Sequence, residues 1–295
     1  MRVQRILSGA AFVGAIALVI FGDTALKASA ETLKEKVASE GKLTIGVHNK
    51  LPWGIKTDDG DVSGLYPDVL KATAESLGVK KVDFVVMDFG ALIPSLLSRR
   101  IDVVASGMVI TPARCAQVSF SNPFHTGGDS ILVKKGNPLN LHSYEDIAKR
   151  PSTRVGELRG ASTAPNAIAA GVAKEQIQLF PDNDAVLGAL LADRIDAALF
   201  ATGSTVGILR DPNVTGVERA TPFTGLVING REKKDYGAFE FRPEDAEFRD
   251  LFNQKLAQRQ ADGTVKTILT KYSLGGEDIA AQSITAKELC GTNYH

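Results

Sequence analysis

The sequence predicts an α/β fold made of two successive α/β units. In residues 31–295, short runs rich in β-branched residues alternate with helical stretches, which is typical of strands joined by crossover helices. This alternation begins near Lys42 and starts again near Ser130. A small ligand is expected between two such units, outside the carboxyl ends of the parallel strands.

The first thirty residues predict a cleaved secretory signal peptide. Arg2 and Arg5 precede an uncharged apolar run, Ile6 to Phe21, and the small residues Ala28-Ser29-Ala30 suit signal peptidase. A membrane anchor is the alternative, but sixteen apolar residues are short for a hydrocarbon core of ~30 Å. We therefore expect maturation at Glu31 and a soluble protein in the periplasm.

Composition excludes several classes of function. Residues 31–295 carry a formal charge of −2, so there is no basic excess to bind nucleic acid or an anionic membrane. The sequence shows neither a metal-ligand cluster, a nucleophile triad nor a phosphate-binding glycine loop, and we expect no cofactor, no metal and no catalytic residue. The exported protein would carry Cys115 and Cys290 into an oxidising compartment. This favours one disulfide between them, although two separate thiols remain the alternative.

The elements of the first unit follow from hydrophobic periodicity and from helix-boundary signals. Pro67 near the start and Gly78 after the end mark the first long helix. The predicted order is a strand at Lys42 to Val47, a helix at Tyr66 to Leu77, a strand at Val82 to Val86, a helix at Ala91 to Arg100 and a strand at Ile101 to Ser106. This order predicts a parallel sheet with helices on both faces.

The second unit has the same character and is followed by two helices. Its predicted elements are strands at Ser130 to Lys134, Arg154 to Glu157, Ile177 to Phe180 and Asp196 to Phe200, with helices at about Thr163 to Ala170 and at Ala185 to Asp193. Amphipathic helices are then predicted at Glu244 to Gln260 and at Gly263 to Tyr272.

Several segments together carry a family resemblance. KLTIGV, FGALIPSLLSRRIDVVASGMVITPAR, RIDAALF and LAQRQADGTVKTILTKYSL resemble the amino-acid type (family 3) periplasmic solute-binding proteins of ABC importers. ITPARC, NPLNLHSYEDIAK and the closing KELC are most similar to the ectoine/hydroxyectoine-binding branch. The resemblance implies a two-lobed type II periplasmic-binding-protein fold, with lobe 1 at 31–128 plus 237–295 and lobe 2 at 129–236. Two hinge crossovers are expected, near Ser130 to Lys134 and Gly237 to Phe241.

The resemblance also implies a ligand site. Arg114 matches the family arginine that clamps a ligand carboxylate, because a guanidinium offers a planar fork of donors. Trp53 and Phe89 match aromatic positions that can sandwich a flat or cationic ligand body. Ser162 and Thr163 match the small polar turn that opens a lobe 2 helix. Core packing of Phe89 and plain capping by the two hydroxyl residues remain alternatives.

Departures from the family pattern bear on the ligand. Common amino-acid binders place an aspartate after the RxDA strand to take the α-ammonium group, whereas RIDAALFATG has Ala201 and then Thr202 there. Val109 stands where the ectoine branch has a third aromatic residue, beside Gly107 in the same predicted lining. Lys50 aligns with an acid in that branch. A lysine at the cleft favours an anionic or neutral solute, unless it is a solvated surface residue.

The resemblance thus implies a non-enzymatic, monomeric receptor that delivers a small carboxylate-bearing solute to an ABC permease in the inner membrane. It also implies a disulfide between Cys115 and Cys290. An enzyme similar to the periplasmic cyclohexadienyl dehydratases is the alternative, with Glu157 as general acid or base and Lys50 assisting. A receptor that signals to a sensor protein is a third possibility.

Overall fold

The computed structural model describes residues 31–295, and the predicted signal peptide lies outside them. Thr32 to His295 form one compact unit. The helices of this part are α1 (Leu33–Glu40), α2 (Leu65–Ala74), α3 (Leu92–Leu97), α4 (Pro112–Cys115), α5 (Tyr144–Ala148), α6 (Thr163–Ala169), α7 (Asn183–Leu191), α8 (Thr202–Leu209), α9 (Ala246–Ala261), α10 (Thr264–Lys271) and α11 (Ala286–Cys290). The strands are β1 (Lys42–Val47), β2 (Ile55–Lys56), β3 (Val62–Ser63), β4 (Lys81–Val86), β5 (Val103–Val104), β6 (Ser119–Phe120), β7 (His125–Gly127), β8 (Asp129–Lys134), β9 (Val155–Leu158), β10 (Ile177–Phe180), β11 (Ala197–Ala201), β12 (Val217–Arg219), β13 (Val227–Ile228), β14 (Arg231–Glu232), β15 (Asp235–Gly237) and β16 (Glu240–Phe241).

Two five-stranded sheets organise the molecule into two lobes. The first has the order β4-β1-β5-β16-β6 and the second the order β10-β9-β11-β8-β12. Parallel pairing joins β1 to β4 and β5, and β9 to β10 and β11. The parallel pairing predicted for the first unit is confirmed for β1, β4 and β5, whereas β16 and β8 run antiparallel to their neighbours. We call the elements around these sheets the first and second lobes; the lobe boundaries stay predictions.

The predicted strand at Ile101 to Ser106 is reduced to β5, because side chains replace part of its backbone pairing. The Asp102 carboxylate accepts the backbone N–H of Thr44 at 2.9 Å. At the other end, the Ser106 hydroxyl accepts the N–H of His48 at 2.8 Å. Other predicted elements differ mainly at their ends, and the strands at Lys42 to Val47 and Ile177 to Phe180 are confirmed.

The two connections between the lobes are paired with each other. β7 leads from the first sheet toward the second, β15 leads back, and the two strands pair antiparallel. The hinge predicted at Ser130 to Lys134 is therefore placed too late, because these residues form part of β8 inside the second sheet. The second predicted crossover, Gly237 to Phe241, overlaps the end of β15 and the whole of β16.

Each lobe has its own apolar core, and a disulfide secures the C-terminal segment to the first lobe. Cys115 and Cys290 are bonded, with their Cα atoms 5.5 Å apart, so the predicted bridge is confirmed. It closes a loop between residues 175 positions apart and is expected to stabilise the fold by about 2–4 kcal/mol.

In residues 31–295, no helix combines the length and apolarity that crossing a bilayer requires.

Candidate functional site

A cavity lies between the two lobes and collects most of the predicted site residues. The first lobe lines it with His48, Trp53, Phe89, Gly107, Val109 and Arg114. The second lobe lines it with Leu158, Ala161, Ser162, Thr163, Asn183, Leu199, Phe200, Ala201 and Ser204. Eight of the ten predicted ligand-binding residues are thus brought together, and Lys50 and Thr202 lie elsewhere. Arg114 is the one permanently charged side chain in this lining.

Arg114 is held at the cavity by a short helix and by both lobes. Thr111 caps α4 by accepting the Arg114 N–H at 3.4 Å, and Pro112 occupies the first helical position. Arg114 is 9% exposed, and its guanidinium donates to the carbonyl of Val109 at 2.6 Å and to that of Gly160 at 2.8 Å. Because a guanidinium has five N–H donors, these two bonds leave donors for a carboxylate.

A buried carboxyl group lies near Arg114 in the first lobe. Glu240 on β16 is fully buried, and neither carboxyl oxygen has a hydrogen-bond partner among residues 31–295. Burial raises the pKa of Glu240 well above its usual value, and the Arg114 charge opposes that shift. Burial likewise lowers the pKa of the Arg114 guanidinium, against the effect of Glu240. The pair places a fixed cation at the cavity with a carboxyl group close to it.

The Trp53 side chain extends from the first lobe across the cleft and packs against the second lobe. Its indole Nε1–H donates to the Ser204 hydroxyl on α8 at 2.8 Å, and the side chain is buried. Gly107, with φ of +74°, makes room for the ring, since a Cβ there would lie 2.5 Å from the indole Cδ2. Gly203 does the same from α8, where a Cβ would lie 2.6 Å from Cη2. The indole therefore fills a gap between two glycines from different lobes.

The hydroxyl groups of Ser162 and Thr163 face carboxyl groups of the second lobe. Ser162 donates to Asp235 at 3.2 Å, and Thr163 contacts Glu157. Burial raises the pKa of Glu157 to about 8, an effect that the Thr163 hydroxyl moderates. A carboxyl that is protonated at neutral pH can itself donate to Thr163, which leaves the threonine hydroxyl hydrogen free for a bound anion.

Three polar lining residues were missed by sequence reasoning. His48 follows β1, Asn183 begins α7 after β10, and Ser204 lies in the first turn of α8 after β11. All three follow strand ends, the signal that could have identified them. The His48 ring lies edge-on to Phe89 with centroids 5.3 Å apart, and burial lowers its pKa to about 4. His48 is therefore neutral at pH 7 and adds no charge to the cavity.

The structure places Lys50 and Thr202 outside the cavity lining. Lys50 forms an ion pair with Asp184 of α7, on the opposite lobe. Thr202 donates to the carbonyl of Gly128 at 3.0 Å and lines a neighbouring smaller pocket together with Asp235. The Trp53 and Arg114 bonds described above and the Lys50 ion pair are three contacts that join the lobes across the cleft. The lobes are therefore in a closed arrangement.

A group of buried acids lies behind the second-lobe wall and near the crossovers. Asp129 at the start of β8 accepts from the Asn166 amide at 3.0 Å, and Asp235 at the start of β15 lies 3.4 Å from the same nitrogen. Burial and the Asp235 charge raise the pKa of Asp129 to about 7. No group of histidine, cysteine, aspartate or glutamate suited to hold a metal ion occurs in residues 31–295.

These acids predict a loss of stability at alkaline pH. Asp129 and Glu157 have pKa values of about 7 and 8 in the folded protein, against about 4 in an unfolded chain. Between pH 6.5 and 8.5 the folded state therefore binds more protons, and the free energy of unfolding falls as pH rises. Urea unfolding across this range is the measurement. Glu157→Gln should weaken the slope, whereas the exposed Glu247→Gln should leave it unchanged; a slope of opposite sign would contradict the burial of these acids.

Comparison with known proteins places this geometry in a family. Residues 43–275 match the model for bacterial extracellular solute-binding proteins, family 3. The chain belongs to this family. It is 37% identical to a probable amino-acid ABC transporter periplasmic-binding protein of Sinorhizobium fredii, over 94% of this chain and 91% of the relative. It is 29% identical to the lysine/arginine/ornithine-binding periplasmic protein of Escherichia coli, over 75% of this chain and 83% of that protein.

Solved structures support the same two-lobed fold. EhuB in complex with hydroxyectoine superposes with a TM-score of 0.78 and 31% identity, covering 88% of this chain and 98% of EhuB. The ancestral amino-acid-binding protein AncCDT-1, a precursor of cyclohexadienyl dehydratase, superposes with a TM-score of 0.69 and 28% identity, over 82% of this chain and 99% of that protein. The predicted type II periplasmic-binding-protein fold is confirmed.

Proposed function

We propose that this protein captures a small carboxylate-bearing solute, an amino-acid derivative or an ectoine-like compatible solute, by closing its lobes around it. The proposal rests on the position and the hydrogen bonds of Arg114. It is a buried guanidinium at the cavity between the lobes, bonded to one carbonyl from each lobe and retaining free donors. Closure follows from the ligand's higher affinity for the closed arrangement.

The cavity favours a solute without a strongly localised ammonium group. Its lining includes no carboxylate among the residues that the structure describes, and Ala201 occupies the wall where common amino-acid binders carry an aspartate. Trp53 and Phe89 offer aromatic surface instead, which suits a flat or delocalised cation. The likeness to EhuB, whose structure contains hydroxyectoine, supports this class of ligand.

The compartment, the oligomeric state and the partner of the protein are part of the same proposal. The protein acts in the periplasm as a monomer and passes its solute to an ABC permease in the inner membrane, as membership of a transport family suggests. Lys50 remains a predicted contact for the solute at the cleft edge, although in the closed arrangement it pairs with Asp184.

A non-enzymatic role is favoured over a lyase. The similarity to a dehydratase precursor raises the alternative, but that protein is itself described as amino-acid-binding. Glu157, the candidate acid or base, lies behind Thr163 and does not line the cavity. Incubation with prephenate tests this directly: product formation would establish the lyase.

A thermal-shift screen tests the proposed function. Compatible solutes, amino acids, opines and small organic acids are each added to the mature protein, and a solute that binds only the native state raises its melting temperature. We expect the shifts to come from carboxylate-bearing solutes. Shifts confined to solutes without a carboxylate would contradict the proposal, and tight binding of simple α-amino acids would contradict the inference from Ala201.

A further inference from the structure

Asn183 is the polar side chain of the second-lobe wall that has no protein partner. The other polar side chains of this wall are engaged: Ser162 with Asp235, Thr163 with Glu157 and Ser204 with Trp53. Asn183 is 4% exposed, and its buried Oδ1 meets no hydrogen-bond donor in residues 31–295. A buried amide oxygen is rarely left without a hydrogen bond.

The local structure holds this amide at the cavity. Asn183 is the first residue of α7, and Asp182 caps the helix by accepting the N–H of Ala185 at 2.7 Å. The capping role therefore belongs to Asp182, and the Asn183 amide is not needed for it. Leu199 and Phe200 of β11 line the same wall with apolar surface. An unpaired carbonyl in such surroundings is unfavourable in the absence of a donor.

We propose that Asn183 Oδ1 accepts a hydrogen bond from an N–H or O–H group of the bound solute, and so selects carboxylate solutes that also carry a donor. This inference rests on the proposed capture of a solute at Arg114. Arg114 in the first lobe binds the carboxylate, and Asn183 in the second lobe binds the donor at the other end. Because the lining has no carboxylate among the described residues, an uncharged acceptor takes the place of the missing aspartate. A solute without a donor leaves the amide unpaired and binds more weakly.

The first test needs no solute. Without solute the lobes are open and water reaches the amide, so the ligand-free Asn183→Leu variant is expected to melt within about 2 °C of the wild type. Asn166→Leu is the matched control in the same lobe, since the Asn166 amide donates to Asp129, and this variant should melt below the wild type. A melting temperature for Asn183→Leu as low as that of Asn166→Leu would overturn the proposal, because it would show a structural role for the amide.

The second test measures selectivity with two carboxylate probes. Ectoine carries N–H donors, whereas proline betaine has none. Calorimetric titration of the wild type should give the tighter binding for ectoine, and Asn183→Leu should reduce this preference roughly tenfold. An unchanged preference in the variant would overturn the role of Asn183. If the wild type binds neither probe, the failure counts against the proposed function for these solutes, while the melting comparison still decides whether the amide is structural.

Discussion

An Arg114→Ala variant is expected to lose about 100-fold or more in affinity for a carboxylate-bearing solute. The guanidinium is buried at the cavity, and its loss would leave the solute carboxylate without a countercharge in a site screened from water. Isothermal titration calorimetry with a solute found by the thermal-shift screen measures the effect. Unchanged affinity would show that the carboxylate binds elsewhere.

Arg114→Lys separates the charge from the shape of the donor group. Arg114→Ala also removes the donors to Val109 and Gly160 and leaves Glu240 beside no cation, so part of its effect could come from a less stable fold. Lysine keeps the positive charge but lacks the planar fork. We expect an intermediate loss of about tenfold, equivalent to ~1.4 kcal/mol, in a variant whose melting temperature stays closer to that of the wild type.

Gly207→Ala is expected to prevent complete closure and to weaken solute binding by about tenfold or more. Gly207 lies on α8, and a Cβ there would lie 2.6 Å from the carbonyl oxygen of Leu51 in the opposite lobe. The contact between the Trp53 side chain and the same helix would also be disturbed. The substitution suits an α-helix, because alanine is favoured over glycine by about 1 kcal/mol, so the variant should remain folded.

Gly188→Ala is the matched control for this prediction. Gly188 lies on α7 in the same lobe, and a Cβ there would meet no atom within 4 Å. Closure can be followed directly, because Trp53 is the only tryptophan in the sequence and is buried in the closed arrangement. Wild type and Gly188→Ala should show the same solute-dependent change in emission, and Gly207→Ala a smaller one. Equal affinity and emission in all three proteins would contradict the importance of this interface.

Much of the site could be predicted because it is encoded in short segments. GMVITPARC contains Gly107, Val109 and Arg114, and the structure places all three at the cavity. Their spacing is local: Thr111 and Pro112 start the helix that orients the arginine. The predicted pairing of Cys115, in the same segment, with Cys290 is confirmed; it came from a resemblance that covers nearly all of residues 31–295.

Other features depend on partners distant in sequence and could not be predicted. The position of Lys50 is set by Asp184, which is 134 residues away, and nothing in the local sequence indicates that contact. β5 is short because the side chains of Asp102 and Ser106 accept backbone N–H groups within β1 and just after it. Asn183 stands out only once the bonds of its neighbours are known, since its candidate role follows from a missing partner.

Small-angle X-ray scattering of residues 31–295 during titration with a carboxylate solute tests solute capture by closure most directly. Closure predicts that the radius of gyration decreases as the solute binds, and that Trp53 emission shifts to shorter wavelength over the same concentration range. Arg114→Ala should show neither change at the concentrations that saturate the wild type. Saturating binding to the wild type with an unchanged radius of gyration would contradict capture by closure of the two lobes.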